Sequence, residues 1–162
     1  MTAPLLRPVL PPVDGRQSER ALAIARGTTR LLAALDFAVV PELPLPSGRR
    51  ADLTALGRNG LLWIVEVKSS VEDFRADRKW EDYRLHADRV LFAVAPDFPV
   101  ELLPEDAGLI LADGHGAELQ REGVAGALAA PTRKVMTLRF ARAAAARMTL
   151  LCDPQARGLT DL

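Results

Sequence analysis

The stretch RVLFAVA, residues 89–95, is apolar at nearly every position. Side chains of a strand alternate between two faces, so a strand that is apolar throughout belongs to a sheet covered on both sides. The rest of the chain can supply the cover. SERALAIARGTTRLLAAL, with Ser18 as N-cap, reads as a helix to about Leu35, although Gly27 lowers its propensity. FAVVPELPL (37–45), RRADLTAL (49–56) and LLWIVEVKSS (61–70) read as three strands joined by turns at PSG and GRNG. Ala76, Trp80, Tyr83 and Ala87 recur as one stripe of a second helix. After RVLFAVA, GLILADGHGAEL (108–119) reads as a hairpin and TRKVMTLRFARAAAARMTLL (132–151) as a closing helix. The expected order is α-β-β-β-α-β, then a β-hairpin and a C-terminal helix, a mixed α/β sandwich around a meander.

Composition narrows the partners. With 162 residues and 49% hydrophobic content, the chain can bury one core. Lysine plus arginine equals aspartate plus glutamate at 21 each, so any nucleic-acid surface must come from local clustering. The lone cysteine, Cys152, excludes an internal disulfide and a cysteine-rich metal site, which fits a reducing cytoplasm. Pro4, Pro8, Pro11 and Pro12 interrupt the N-terminal apolar residues, so neither a signal peptide nor a membrane helix is expected there. Residues 1–14 are expected to form a flexible arm, 15–152 a single domain and 153–162 a loose tail.

Charged residues within the apolar strands need a reason. Glu66 and Lys68 share a strand face with Ile64, opposite Trp63, Val65 and Val67. A three-residue loop at Arg58–Gly60, ending in a left-handed glycine, pairs Gly57 with Leu61 and sets Asp52 opposite Glu66. A second such loop at Pro46–Gly48 pairs Leu45 with Arg49 and sets Glu42 opposite Asp52. Three carboxylates and one lysine then converge. Carboxylates that close repel unless one takes a proton or a cation sits between them, and an all-oxygen set suits Mg²⁺ or Mn²⁺. Glu-x-Lys by itself is a common triplet, usually the solvated face of an edge strand. Here it lies in the apolar run IVEV.

The element order, with Asp52 on the second strand and Glu66-x-Lys68 on the third, resembles the PD-(D/E)xK nuclease superfamily, with its restriction-endonuclease-like core. Ala51 stands where the motif's name has proline, and KWEDY (Lys79–Tyr83) resembles a Q-x-x-x-Y element with lysine for glutamine. More narrowly, GRQSERALAIARG, ELPLPSGRRADLTALG, WIVEVKSSVEDFRADRKWEDYR and PEDAGLILAD resemble the MmcB family of bacterial DNA repair proteins, over about residues 14–150. The resemblance implies a nuclease-type fold, a DNA partner and a repair role. It implies that Asp52 and Glu66 hold the metal with the carbonyl of Val67, and that Lys68 serves catalysis. Glu42 is added by the hairpin registers alone, as an auxiliary ligand or base.

Other residues are open to two readings. Arg49 and Arg50 flank the site and could meet phosphate, or could form a charged turn. Lys79 and Tyr83, at i and i+4, would project together toward the site if the Q-x-x-x-Y likeness holds. Trp80 and Tyr83 are read as packing against the sheet rather than stacking on bases. The closing helix carries Arg133, Lys134, Arg139, Arg142 and Arg147 and no acid, either a solvated face or a surface for phosphate or an acidic partner. Glu19 is read as a solvated helix residue, with metal ligation the alternative. His86 and His115 lack the company of a zinc site. Three functions compete: a metal-dependent DNA phosphodiesterase, a silent DNA- or protein-binding repair module on the same fold, and a structural domain. The expected partners are DNA and, beside it, other DNA-repair proteins.

Overall fold

A computed structural model describes residues 18–156; the expected arm, 1–14, and residues 157–162 of the expected tail lie outside the described residues. Helix α1 (Glu19–Ala34) starts at Ser18, whose hydroxyl accepts the N–H of Ala21 at 3.1 Å. Strands β1 (Phe37–Pro44), β2 (Arg50–Gly57) and β3 (Leu62–Lys68) form an antiparallel meander, followed by α2 (Val71–Ala76) and a 3₁₀ segment (Trp80–Leu85). Strand β4 (Arg89–Val94) runs parallel to β3, and β5 (Gly108–Ala112) parallel to β4; β6 (Ala117–Arg121) returns antiparallel to β5. The six strands lie side by side in chain order, and α3 (Ala130–Cys152) closes the described fold. No helix among the described residues is long and apolar enough to cross a membrane.

β4 is the buried centre that its sequence requires. Every residue from Val90 to Val94 is at most 5% exposed. Leu91 and Ala93 join Ile24 and Leu32 of α1 on one face, while Val90 meets Met136 and Phe140 of α3 on the other. Phe92 and Val94 extend that second side into a cluster with Phe98 and Leu103, against which Phe74 of α2 packs. Gly27 lets α1 press close to the β5–β6 turn, for a Cβ there would lie 2.2 Å from the carbonyl oxygen of Asp113.

One expected element is corrected. The stripe Ala76, Trp80, Tyr83, Ala87 does not belong to one helix: α2 ends at Ala76, Asp77 is extended (φ −93, ψ 105), and a 3₁₀ segment resumes at Trp80. Ala76 is exposed, whereas Tyr83 and Ala87 are buried. The break has a local cause. The Asp77 carboxylate accepts the N–H of Lys79 at 2.8 Å, a turn that offers the backbone an alternative to continuing the helix.

α3 is fastened by an ion pair whose acid is buried and whose arginine is half-exposed. Asp88, 5% exposed, accepts two hydrogen bonds of 2.7 Å from the Arg133 guanidinium and one of 2.8 Å from the N–H of Leu62. Arg133 also donates to the carbonyl of Gly60 at 2.7 Å. Asp88→Ala strips the buried Leu62 N–H of its acceptor and the half-exposed guanidinium of its partner, and is expected to cost about 2 kcal/mol. Urea unfolding checks this; a cost below about 1 kcal/mol, the level of an exposed pair, would show that the pair does not anchor the helix.

Candidate active site

Both hairpin registers are those the turns require. Gly57 and Leu61 close the β2–β3 turn and Leu45 and Arg49 the β1–β2 turn, with Gly60 and Gly48 both at φ 81. Extending the β2–β3 register sets Asp52 opposite Glu66, but the ladder itself stops one pair earlier, at Leu53 and Val65. β3 stays paired to β4 through Lys68. The two strands therefore part at Asp52 and Glu66, and their side chains bridge the gap.

The parting coincides with a twist in the neighbouring hairpin. Glu42 has φ 53, a left-handed conformation that strains a non-glycine residue. Val40 and Leu43, three residues apart, pack in the same cluster, while Ala51 and Leu53, two apart, pack in opposite clusters. Alternation thus breaks on both strands at the Glu42/Asp52 level. Arg147 of α3 donates to the carbonyls of Pro41 and Glu42 and holds the twisted backbone in place.

At the gap the carboxylates replace the backbone ladder. Glu66 Oε1 accepts the N–H of Asp52 at 3.2 Å, and Asp52 Oδ2 accepts the N–H of Val67 at 2.8 Å. Glu66 is only 4% exposed. Burial, and then the charge of Asp52, push its carboxyl up to about 9. Burial raises Asp52 to about 6, opposed by the Val67 N–H and the charge of Lys68 and reinforced by Glu42 and Asp73. Two acids so placed favour retaining a proton.

Lys68 is 5% exposed, and its Nζ lies 2.6 Å from Asp77 Oδ2 but 3.8 Å from Glu66 Oε2. Burial alone would lower its pKa; the Asp77 hydrogen bond and the charges of Glu66 and Asp77 outweigh that and raise it. Asp77 is shifted the other way: burial would raise it, but Lys68 and the Lys79 N–H hold it below the usual carboxylate range. Sequence reasoning missed Asp77, because a residue assigned to a helix interior gives no sign that it breaks the helix and turns inward. Tyr83 completes the wall. It is buried, its hydroxyl donates to the carbonyl of Arg50 at 3.3 Å, and burial followed by the charges of Glu66, Asp77 and Asp52 raises its pKa.

The remaining candidates divide. Glu42 stands at the edge, close enough to raise Asp52, with its carboxylate ion-paired to Arg50. Arg49 pairs with Asp82 at 2.6 Å. Both arginines beside the site thus already have carboxylate partners. Lys79 and Tyr83 do not project together: Lys79 is exposed at the N-cap of the 3₁₀ segment, and Tyr83 is buried within it. Trp80 packs edge-on against Phe92, ring centroids 5.4 Å apart, and the Arg84 guanidinium lies over its ring, 5.0 Å from the centroid.

The cationic face expected on α3 is smaller than its sequence promised. Arg133 is committed to Asp88, Arg147 to Pro41 and Glu42, and Arg139 donates to the carbonyl of Pro44 at 3.4 Å. Lys134 and Arg142 are left on the exposed side. Glu19 is exposed in the first turn of α1, where an acid favours the helix N-terminus. His115 lies in the exposed β5–β6 turn, and among the described residues no three histidine, cysteine or acidic side chains are grouped to hold a metal.

The donor set present is therefore two carboxylates, each with one oxygen anchored by a backbone N–H. Hard ions such as Mg²⁺ often take few protein ligands and complete their shell with water and substrate oxygens. Two buried acids with raised pKa values fit that mode, because a cation would relieve both their repulsion and their burial. A site closed by protein ligands alone does not fit.

A six-stranded mixed sheet covered by helices, with a cluster of charged side chains where two of its strands part, defines a mixed α/β protein with a candidate site among the described residues. The sequence matches the family described as "DNA repair protein MmcB-like" over residues 9–155. The chain belongs to that family, and membership supports a role in DNA repair. No curated protein matches. Among solved structures, a protein of unknown function from Silicibacter pomeroyi is 41% identical, with a TM-score of 0.82 over 88% of this chain and 97% of that one.

Proposed function

We propose that this cluster is the active site of a divalent-cation-dependent DNA phosphodiesterase acting in repair, on a fold of the PD-(D/E)xK type. The observation that carries this reading is the buried juxtaposition of Asp52, Glu66 and Lys68 where β2 and β3 part. Asp52 and Glu66 would hold Mg²⁺ or Mn²⁺, with the carbonyl of Val67 a third donor by family resemblance. Such an ion supplies Lewis-acid stabilisation of the phosphate and a more acidic bound water. Lys68 adds a fixed positive charge beside it, aimed at the charge the phosphate gains in the transition state. The anchoring N–H groups of Asp52 and Val67 hold the carboxylates, so little reorganisation is needed when the ion and substrate arrive.

The test is incubation of the protein with single-stranded, duplex, flap and mismatched DNA in Mg²⁺ or Mn²⁺. Cleavage of any of them that is lost in Asp52→Asn supports the proposal. Binding of DNA without cleavage of any substrate overturns it, in favour of a silent repair module. The near-complete burial of Glu66 and Lys68, which keeps them from a bound phosphate, favours that second reading. In either case the exposed cations Lys79 and Arg142 are the side chains we expect to meet phosphate, since Arg49, Arg50 and Arg139 are already engaged. Neutralising Lys79 and Arg142 together should flatten the salt dependence of DNA affinity, by roughly one unit of slope for each phosphate no longer neutralised. An unchanged slope, measured by fluorescence anisotropy at several salt concentrations, would remove both from the interface.

A further inference from the structure

We infer that Asp77 is a positioning residue that holds the Lys68 ammonium off Glu66 and so keeps that carboxylate open to a cation. The inference rests on the reading of Asp52 and Glu66 as a cation site. Lys68 and Glu66 lie two residues apart on the same strand face, both almost fully buried. A buried ammonium needs a counter-charge. With no other partner it would take Glu66, and a cation could then bind only by displacing it. Asp77 prevents this. Its Oδ2 lies 2.6 Å from Nζ, against 3.8 Å for Glu66 Oε2, so the ammonium is drawn toward α2 and away from the carboxylate pair.

Asp77 is itself fixed. Its second oxygen accepts the N–H of Lys79, and its backbone stands where α2 ends. The interruption of the helix, which costs helical hydrogen bonds, is what turns this carboxylate inward. An unbroken helix through Ala76, Trp80 and Tyr83 would carry residue 77 off the stripe that faces the sheet. The other nearby acid, Asp73, acts on Lys68 without forming an ion pair with it, and one of its oxygens accepts the N–H of Ser69 at 3.3 Å.

Asp77→Asn removes the charge and keeps an oxygen for the Lys79 N–H, so the end of α2 stays capped. In a metal-free crystal structure of this variant, Lys68 Nζ is expected to close on Glu66, to about 2.8 Å. Mn²⁺ affinity, measured by calorimetry, should fall by about tenfold, the size typical for loss of an outer-shell partner. Adding Lys68→Met to Asp77→Asn should restore it, which a merely structural loss would not do. Lys68 left in its wild-type place, or Mn²⁺ bound as tightly by Asp77→Asn as by wild type, overturns the role of Asp77 and leaves the metal reading standing. Wild-type protein that takes up no Mn²⁺ overturns the metal reading, and with it the purpose assigned to Asp77.

Discussion

Without a divalent cation, the protein is expected to lose stability as the pH rises from about 4.5 to about 9, and Glu66→Gln to remove most of that loss. The direction follows from proton linkage. In the unfolded chain Glu66 gives up its proton near its ordinary value of 4.5, whereas in the fold burial and the neighbouring Asp52 hold the proton to about 9. Between those limits the folded state binds more protons, so raising the pH favours unfolding. Asp52, raised from 3.8 to about 6, adds to the slope at the acid end. The stabilisation from Glu66 is fully present below pH 4.5 and gone above about 9. Over the window it amounts to several kcal/mol, on the order of 1.4 kcal/mol per unit. Urea unfolding of wild type and Glu66→Gln at pH 5 and 8.5 reads this group together with its neighbour Asp52. Millimolar Mn²⁺ should restore the wild type at pH 8.5 and do little for the variant. Parallel pH profiles would mean that Glu66 is not the strained acid its surroundings make it.

Lys68→Met should reduce DNA cleavage by about 10²–10³-fold, the usual effect of deleting one preorganised positive or hydrogen-bonding group at a developing charge. Affinity for DNA should change only a few fold, because the Lys68 ammonium is wanted most in the transition state. Single-turnover rates at saturating DNA separate the two. A variant cutting at the wild-type rate would leave Lys68 as nothing more than the buried partner of Asp77.

Turns and periodicity explain why so much of the site is legible in the sequence. A loop of odd length ending in a left-handed glycine fixes a register, and Gly48 and Gly60 fix two. From these, Asp52 opposite Glu66 follows, as does Glu42 on the next strand. The apolar run Val90–Val94 of β4 requires cover on both faces, and α1 and α3 provide it. Strict alternation could not show the twist at Glu42, because a left-handed residue within a strand leaves no mark in a pattern of apolar positions. The Trp80–Tyr83–Ala87 stripe looks helical because Tyr83 and Ala87 are buried and Trp80 packs on the core, but a 3₁₀ segment after a break serves them equally well. The arginines of α3 mislead for a different reason. Arg133, Arg139 and Arg147 reach backbone carbonyls and a buried acid at distant points of the chain, and no local pattern announces such partners.

The central claim is that Asp52 and Glu66 form a cation site, and calorimetric titration of Mn²⁺ into the metal-free protein tests it most directly. Wild type should take up one ion per chain, and Asp52→Asn should show no comparable uptake. No uptake by wild type, or equal uptake by the Asp52→Asn protein, would contradict it.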